Sequence, residues 1–393
     1  MSSFDNSMMR YLIGRSRIKY SKLDDLFREL YIPQSRIVIH VDASAILYRL
    51  YREKDLDMLY AVDQDIVIRD LVISFLNVLG HYRRYIMTRL GKTNDILIYF
   101  NRKPPVYQQS LFSDYRKKWY RQLNMKDPTY GVLNHIVHES FKFIQGLLPY
   151  FEGIYLIDGN GVDDYTAIYH MVHSEKYQDY YHLIFSQNML ATQLMSSNVA
   201  MLYNKRNDSF VITSGTVYQR GILRERKAVA SDRLTAEFLP FIWALGGCND
   251  INMKKSKFKN GVVDTIKLLN PLVDQQIITG DMSIQTFLKT LSKHIDRGAE
   301  LRLSGEIVNR YRVVQLSLSD AAITEDQKVH LAENIVDLYD QTGLEEINNR
   351  LAMLGEETEL LEITNLNMST SLEDEEKQYQ LEFSSIEDSG FSW

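Results

Sequence analysis

Five short apolar runs rich in Val, Ile and Tyr punctuate the first half of the chain, at Arg36–Val41, Asp95–Phe100, Gly153–Ile157, Tyr181–Phe185 and Asn198–Tyr203. Runs of this length with little polar alternation predict strands covered on both faces, as in a parallel sheet wrapped by helices. Between them, Asp65–Leu90 and Asn134–Leu148 repeat apolar residues at spacings of three and four, the pattern of a helix lying on a sheet face. Crossovers of that length permit parallel pairing. Residues 204–230 carry Phe210-Val211-Ile212 between Asn207-Asp208-Ser209 and Ser214-Gly215, which predicts a hairpin closing one sheet edge. After Asp232 the strand pattern fades, and Leu234–Leu245, Val262–Leu269, Ile284–His294 and Gln327–Leu354 read as helices.

The predicted fold is therefore α/β, a parallel sheet flanked by helices, followed by a helical C-terminal region and an acidic tail. The expected divisions are 1–230, 231–355 and 356–393. A hydrophobic content of 45% over 393 residues suffices for one large core or two modest ones. The single cysteine, Cys248, excludes an intramolecular disulfide and a thiolate-rich zinc site. No long apolar run or leader is seen, so a soluble intracellular protein with no membrane partner is expected. The net charge of −6 hides an asymmetry: residues 356–393 hold eleven acids and one lysine, leaving the body about +4. The composition of that tail predicts disorder, and its terminal Phe391 and Trp393 suit a protein partner or the body's own basic surface. Positive charge gathers at Arg15/Arg17/Lys19, Arg83/Arg84, Arg116–Arg121, Arg224/Arg226/Lys227 and Lys254–Lys259, as a phosphate backbone would require.

In an open parallel sheet, ligands sit beyond the carboxyl ends of the strands. Those ends read Val41-Asp42-Ala43-Ser44, Phe100-Asn101, Gly161-Val162-Asp163-Asp164 and Ser186-Gln187-Asn188, with Gly247-Cys248-Asn249-Asp250 in a later turn. Asp42 and Asp163-Asp164 also stand where helices begin, and capping is the plain alternative to a site. His135/His138 and His170/His173 have helical spacing but lack the glutamate of a zincin, and read as ordinary histidines.

Taken together, Arg36-Ile37-Val38-Ile39-His40-Val41-Asp42-Ala43-Ser44 and Phe100-Asn101-Arg102-Lys103-Pro104-Pro105 resemble motifs of the flap endonuclease and 5′-3′ exonuclease superfamily, whose fold is PIN-like. The second motif resembles that family's Phe-Asp-Gly-Lys-Pro-Pro. The resemblance covers roughly residues 10–270. It implies a catalytic and metal-binding set of Asp42, Asp163, Asp164 and Asp250, while Asn101, Gly161, Asn188 and Leu190 stand where the family has further acids. Two divalent ions need that full set of oxygen ligands, so Asp42, Asp163 and Asp164 would hold Mg²⁺ or Mn²⁺ weakly if at all.

By the same resemblance, the stretch after Lys103 is the family's arch. Lys103, Tyr115, Arg116, Lys117, Lys118 and Arg121 are expected to grip single-stranded or flapped DNA or RNA, with aromatics stacking on bases. Lys254, Lys255 and Lys257 lie where the family grips duplex through a helix-hairpin-helix, here without its glycine pair. The expected function is that of a degenerate 5′-nuclease binding nucleic acid as an accessory factor. The alternatives are an active metal-dependent nuclease, or an interaction module on a nuclease fold.

Overall fold

The computed structural model describes residues 36–53, 64–90, 93–100, 105–115, 128–148, 151–186, 188–205, 208–212, 236–248, 253–258 and 261–334, together with Ile32, Gln34 and Ile251. The expectations placed on Asn101, Lys103, Arg116–Arg121, Asp250 and the tail from Glu356 fall outside these residues.

All five predicted strands form. They are β1 (Arg36–Asp42), β2 (Thr93–Tyr99), β3 (Ile154–Ile157), β4 (Tyr181–Phe185) and β5 (Val199–Lys205), and they pair in parallel. The predicted hairpin adds β6 (Asp208–Ile212), antiparallel to β5 at the edge. The sheet order is β3-β2-β1-β4-β5-β6. The chain thus builds outward from β1 in one direction and then resumes on its other side, which leaves a crevice at the carboxyl ends of β1 and β4.

Alternation along β1 sends its residues to two different cores. Ile37, Ile39 and Val41 join one packed against α1 (Ala43–Glu53), α2 (Gln64–Leu90) and α4 (Pro128–Leu147). Val38 lies on the opposite face with His40 and Asp42, which by register stand beside Leu97, Tyr99, His182 and Ile184. This second face is covered by α5 (Asp164–Val172) and by the helical second half, with the short α3 (Val106–Leu111) at its rim. The second-half helices are α6 (Leu239–Gly246), α7 (Val262–Asp274), α8 (Ile284–Leu291), α9 (Gly298–Arg302), α10 (Gly305–Val314), α11 (Leu316–Ala321) and α12 (Glu325–Glu333). Sheet residues and helices of residues 236–331 form one continuous apolar cluster around Trp243, Phe241 and Phe287. Each such side chain contributes roughly 1.5–3 kcal/mol by leaving water.

Polar ties also fasten the second half to the crevice. Gln193 Nε2 donates to the Val314 carbonyl at 2.8 Å, and Gln193 Oε1 accepts from Leu316 N, joining the 3-10 turn Met189–Leu194 to the α10–α11 junction. His170 on α5 lies 2.9 Å from Asp320 on α11. Gln327 and Asn334 donate to the carbonyls of Asn160 and Asp158. The loop 158–163, which delivers two of the candidate acids, is therefore braced from outside the sheet.

Candidate nucleic-acid and acid site

The crevice collects three carboxylates. Asp42 ends β1 at 8% exposure, while Asp163 and Asp164, at 1% and 7%, open α5 beside it. Asp42 and Asp163 are helix caps. Asp42 Oδ1 accepts from Ala45 N at 3.0 Å, and Asp163 Oδ2 accepts from Tyr165 N at 3.1 Å, each satisfying an orphan amide of a helix start.

Hydroxyl groups occupy the remaining carboxylate oxygens of these two. The Tyr165 phenol donates to Asp42 Oδ2 at 2.5 Å, and Ser186 Oγ donates to the same oxygen at 3.3 Å. The two hydroxyls are themselves 2.9 Å apart, and Ser186 Oγ accepts from Asn188 N. The Tyr115 phenol donates to Asp163 Oδ1 at 3.0 Å. Tyr165 therefore serves both acids, one through its amide and the other through its ring hydroxyl.

Behind Asp42, in the middle of the sheet, lies a polar string that the sequence reading overlooked. His40 Nδ1 is 2.9 Å from the Tyr99 hydroxyl, and His40 Nε2 is 2.9 Å from His182 Nδ1, with both histidines completely buried. Burial pushes His40 well below the ordinary histidine range, and the adjoining His182 ring adds to this. Burial likewise brings His182 down to about 4. Tyr99 is pushed up by burial and by the nearby Asp164 charge, so its hydroxyl stays protonated. Both imidazoles are neutral at pH 7, so one of the two facing nitrogens, His40 Nε2 and His182 Nδ1, carries the hydrogen and the other accepts it. The available signal was a histidine at an inward position of an otherwise apolar strand, but the partner at position 182 is legible only once β1 and β4 pair.

The expectation placed on the Tyr115 ring is corrected. Tyr115, expected to stack on bases, is buried to 1% with its hydroxyl committed to Asp163, because it anchors the end of the segment after α3. Gly161 was read as a lost acid. It adopts φ 87° in the turn Gly159–Val162, the left-handed region where a glutamate would be strained. Its carbonyl accepts from Val106 N, so the turn also holds α3. Leu190, another such position, is fully buried in the core, and Asn188 caps the turn that carries it by accepting from Leu190 N. Arg83 lies away from the carboxyl ends of the strands. It is half-buried, donates to the Glu152 carbonyl, and lies near Asp95 at the amino ends of the strands, away from the crevice. Lys254, Lys255 and Lys257 are exposed, and Lys257 pairs with Glu300 at 3.2 Å.

The expected divalent ions were tested against these donors. Among the described residues, no three acidic, histidine or cysteine side chains converge on a point where a metal ion could sit. Asp42 Oδ2 already receives two hydroxyls, and Asp163 shares its two oxygens between a hydroxyl and an amide. Among the described residues, Asp42 and Asp163 thus leave few open oxygens for a hard cation, which takes several such ligands.

No protein-family model and no curated protein matches the sequence. Among solved structures, the T5 D15 protein co-crystallised with metal ions aligns with 82% of this chain and 100% of its own length, at a TM-score of 0.50 and 9% identity. The T5 5′-exonuclease with bound zinc covers 82% and 100% at 0.48 and 12% identity. A bacteriophage T5 flap endonuclease in a pseudo-enzyme–product complex with DNA and metal ions covers 81% and 99% at 0.46 and 10% identity. The chain shares its fold with the T5 D15 protein, as the resemblance to the flap endonuclease and 5′-3′ exonuclease superfamily led one to expect. No helix among the described residues is long and apolar enough to cross a membrane.

Proposed function

We propose that this protein is a catalytically degenerate member of that nuclease superfamily, binding branched or single-stranded DNA or RNA as an accessory factor with little or no cleavage. The observation that carries this reading is the fate of Asp42 and Asp163, whose carboxylates receive tyrosine and serine hydroxyls at the crevice where cleavage would require cations. Asn101, Gly161, Asn188 and Leu190 remove negative charge from the remaining positions, and an amide or a hydrocarbon cannot restore it.

Binding is assigned to the basic residues of the same sequence. The run Arg116-Lys117-Lys118-Trp119-Tyr120-Arg121 begins at the residue bonded to Tyr115, which Asp163 anchors. With Lys103 it would contact a single strand or flap through phosphates, while Trp119 and Tyr120 stack on bases in place of Tyr115. Lys254 and Lys255, exposed on the turn after α6, and Lys257 would meet the duplex portion. The acidic tail from Glu356 is assigned to a protein partner.

The contacts proposed are chiefly to phosphates, so affinity should fall steeply with salt and depend little on sequence. Filter binding or fluorescence anisotropy with a 5′-flap and a single strand, from 50 to 200 mM salt, tests this. Changing Arg116, Lys117 and Lys118 to Glu should lower affinity at least tenfold and flatten the salt dependence. Unchanged affinity in that variant would remove the basic run from the binding surface, and absence of binding by the wild type would refute the proposal.

A further inference from the structure

We infer that hydroxyl donors have taken over the role that cations fill in a carboxylate cluster, with Tyr165 as the central one, so that Asp42 and Asp163 now act as fixed acceptors joining β1, β4, α5 and the segment ending at Tyr115. Carboxylates removed from water, as Asp42, Asp163 and Asp164 are, require compensation. For two of them the compensating groups are identified: Tyr165 OH, Ser186 Oγ and Ala45 N for Asp42, and Tyr115 OH and Tyr165 N for Asp163.

These donors come from four separate stretches of the chain. Tyr165 belongs to α5, Ser186 follows β4, Ala45 lies in α1 and Tyr115 follows α3. The network therefore ties together the crevice walls that a metal cluster would otherwise join. Tyr165 is buried against the core, with its ring in the cluster that covers the sheet, so its hydroxyl is held at Asp42 by packing as well as by hydrogen bonding. A cation bridging both oxygens of Asp42 would compete with the phenol and the serine hydroxyl at Oδ2, and the phenol is held there by the packing of its ring.

This inference shares with the proposed function only the claim that Asp42 holds no cation. Loss of nucleic-acid binding with the hydroxyl network intact would refute that function and leave this inference standing. The test is urea unfolding of the full chain in EDTA and in 5 mM Mn²⁺, for the wild type, Tyr165→Phe and Asp42→Asn. Phe keeps the ring and the amide donated to Asp163, and Asn keeps an acceptor oxygen while removing the charge a cation needs. The wild-type midpoint is expected to be the same in EDTA and Mn²⁺ with respect to Asp42, and Tyr165→Phe is expected to lower it in both. A Mn²⁺-dependent rise in the wild-type midpoint that Asp42→Asn abolishes would overturn the inference. So would a Tyr165→Phe midpoint equal to that of the wild type in EDTA.

Discussion

Between pH 6.5 and pH 4 the wild-type protein is expected to lose stability on the order of 3 kcal/mol through His182 alone, with His40 acting in the same direction. The cause is the buried pair at the centre of the sheet. An imidazolium there would lose its hydration and face a second ring 5.2 Å away, centroid to centroid. His182 is lowered from 6.5 to about 4, and at 1.36 kcal/mol per pK unit this gives the stated magnitude. The sign follows from proton counting. Between pH 4 and 6.5 the unfolded chain binds more protons than the native one, so the stabilisation is complete above 6.5 and is lost as the pH falls towards 4. Asp95 acts in the opposite sense, since burial raises its carboxyl, and the wild-type slope contains both contributions. Urea titrations from pH 7 to pH 4 on the wild type and on His40→Leu/His182→Leu separate them. The double variant should lose the histidine part of the slope, and an identical slope would show that the two rings are not held neutral.

Replacing Gly247 with Ala is expected to cost about 3 kcal/mol or more, enough to threaten folding outright. Its φ is 88°, and a β-carbon there would lie 2.6 Å from Lys255 N, 2.7 Å from the Lys254 carbonyl carbon and 2.8 Å from Met253 O. All three are main-chain atoms fixed by the paired Cys248–Met253 bridge, with 2.8 Å hydrogen bonds in both directions, so none of them can yield cheaply. The turn so pinned is the one that exposes Lys254 and Lys255. Gly305→Ala is the control, because a β-carbon at Gly305 meets nothing within 4 Å and should leave stability within about 0.5 kcal/mol. Thermal and chemical denaturation of both variants checks the pair, and equal stability would contradict the packing described for residues 246–256.

The sheet was legible because its strands announce themselves locally. Continuous Val, Ile and Tyr runs marked all five parallel strands, and the polar cluster around Asn207 marked the edge hairpin. Asp42 and Asp163 were legible as caps, since an aspartate just before a helix can accept from that helix's first amides. What escaped the sequence was pairing over distance. His40 and His182 are separated by 142 positions and meet only because β4 is laid against β1. Tyr165 and Tyr115 looked like a helix residue and a stacking aromatic, and nothing local reveals that their hydroxyls end on Asp42 and Asp163. Gly161 was legible as the absence of an acid but not as the turn that needs its positive φ. The amide of Gln193 joins the turn after β4 to the α10–α11 junction, a contact that nothing local reveals.

The most direct test of the central claim is an assay of end-labelled 5′-flap, single-stranded and nicked substrates in Mg²⁺, in Mn²⁺ and in EDTA, with binding and cleavage measured on the same samples. An Asp42→Ala/Asp163→Ala chain serves as the reference for background cleavage. The expected result is salt-sensitive binding that persists in EDTA, with no cleavage by the wild type above that reference. Metal-dependent cleavage by the wild type that the double variant loses would contradict the account and make this protein a working nuclease on a reduced set of acids.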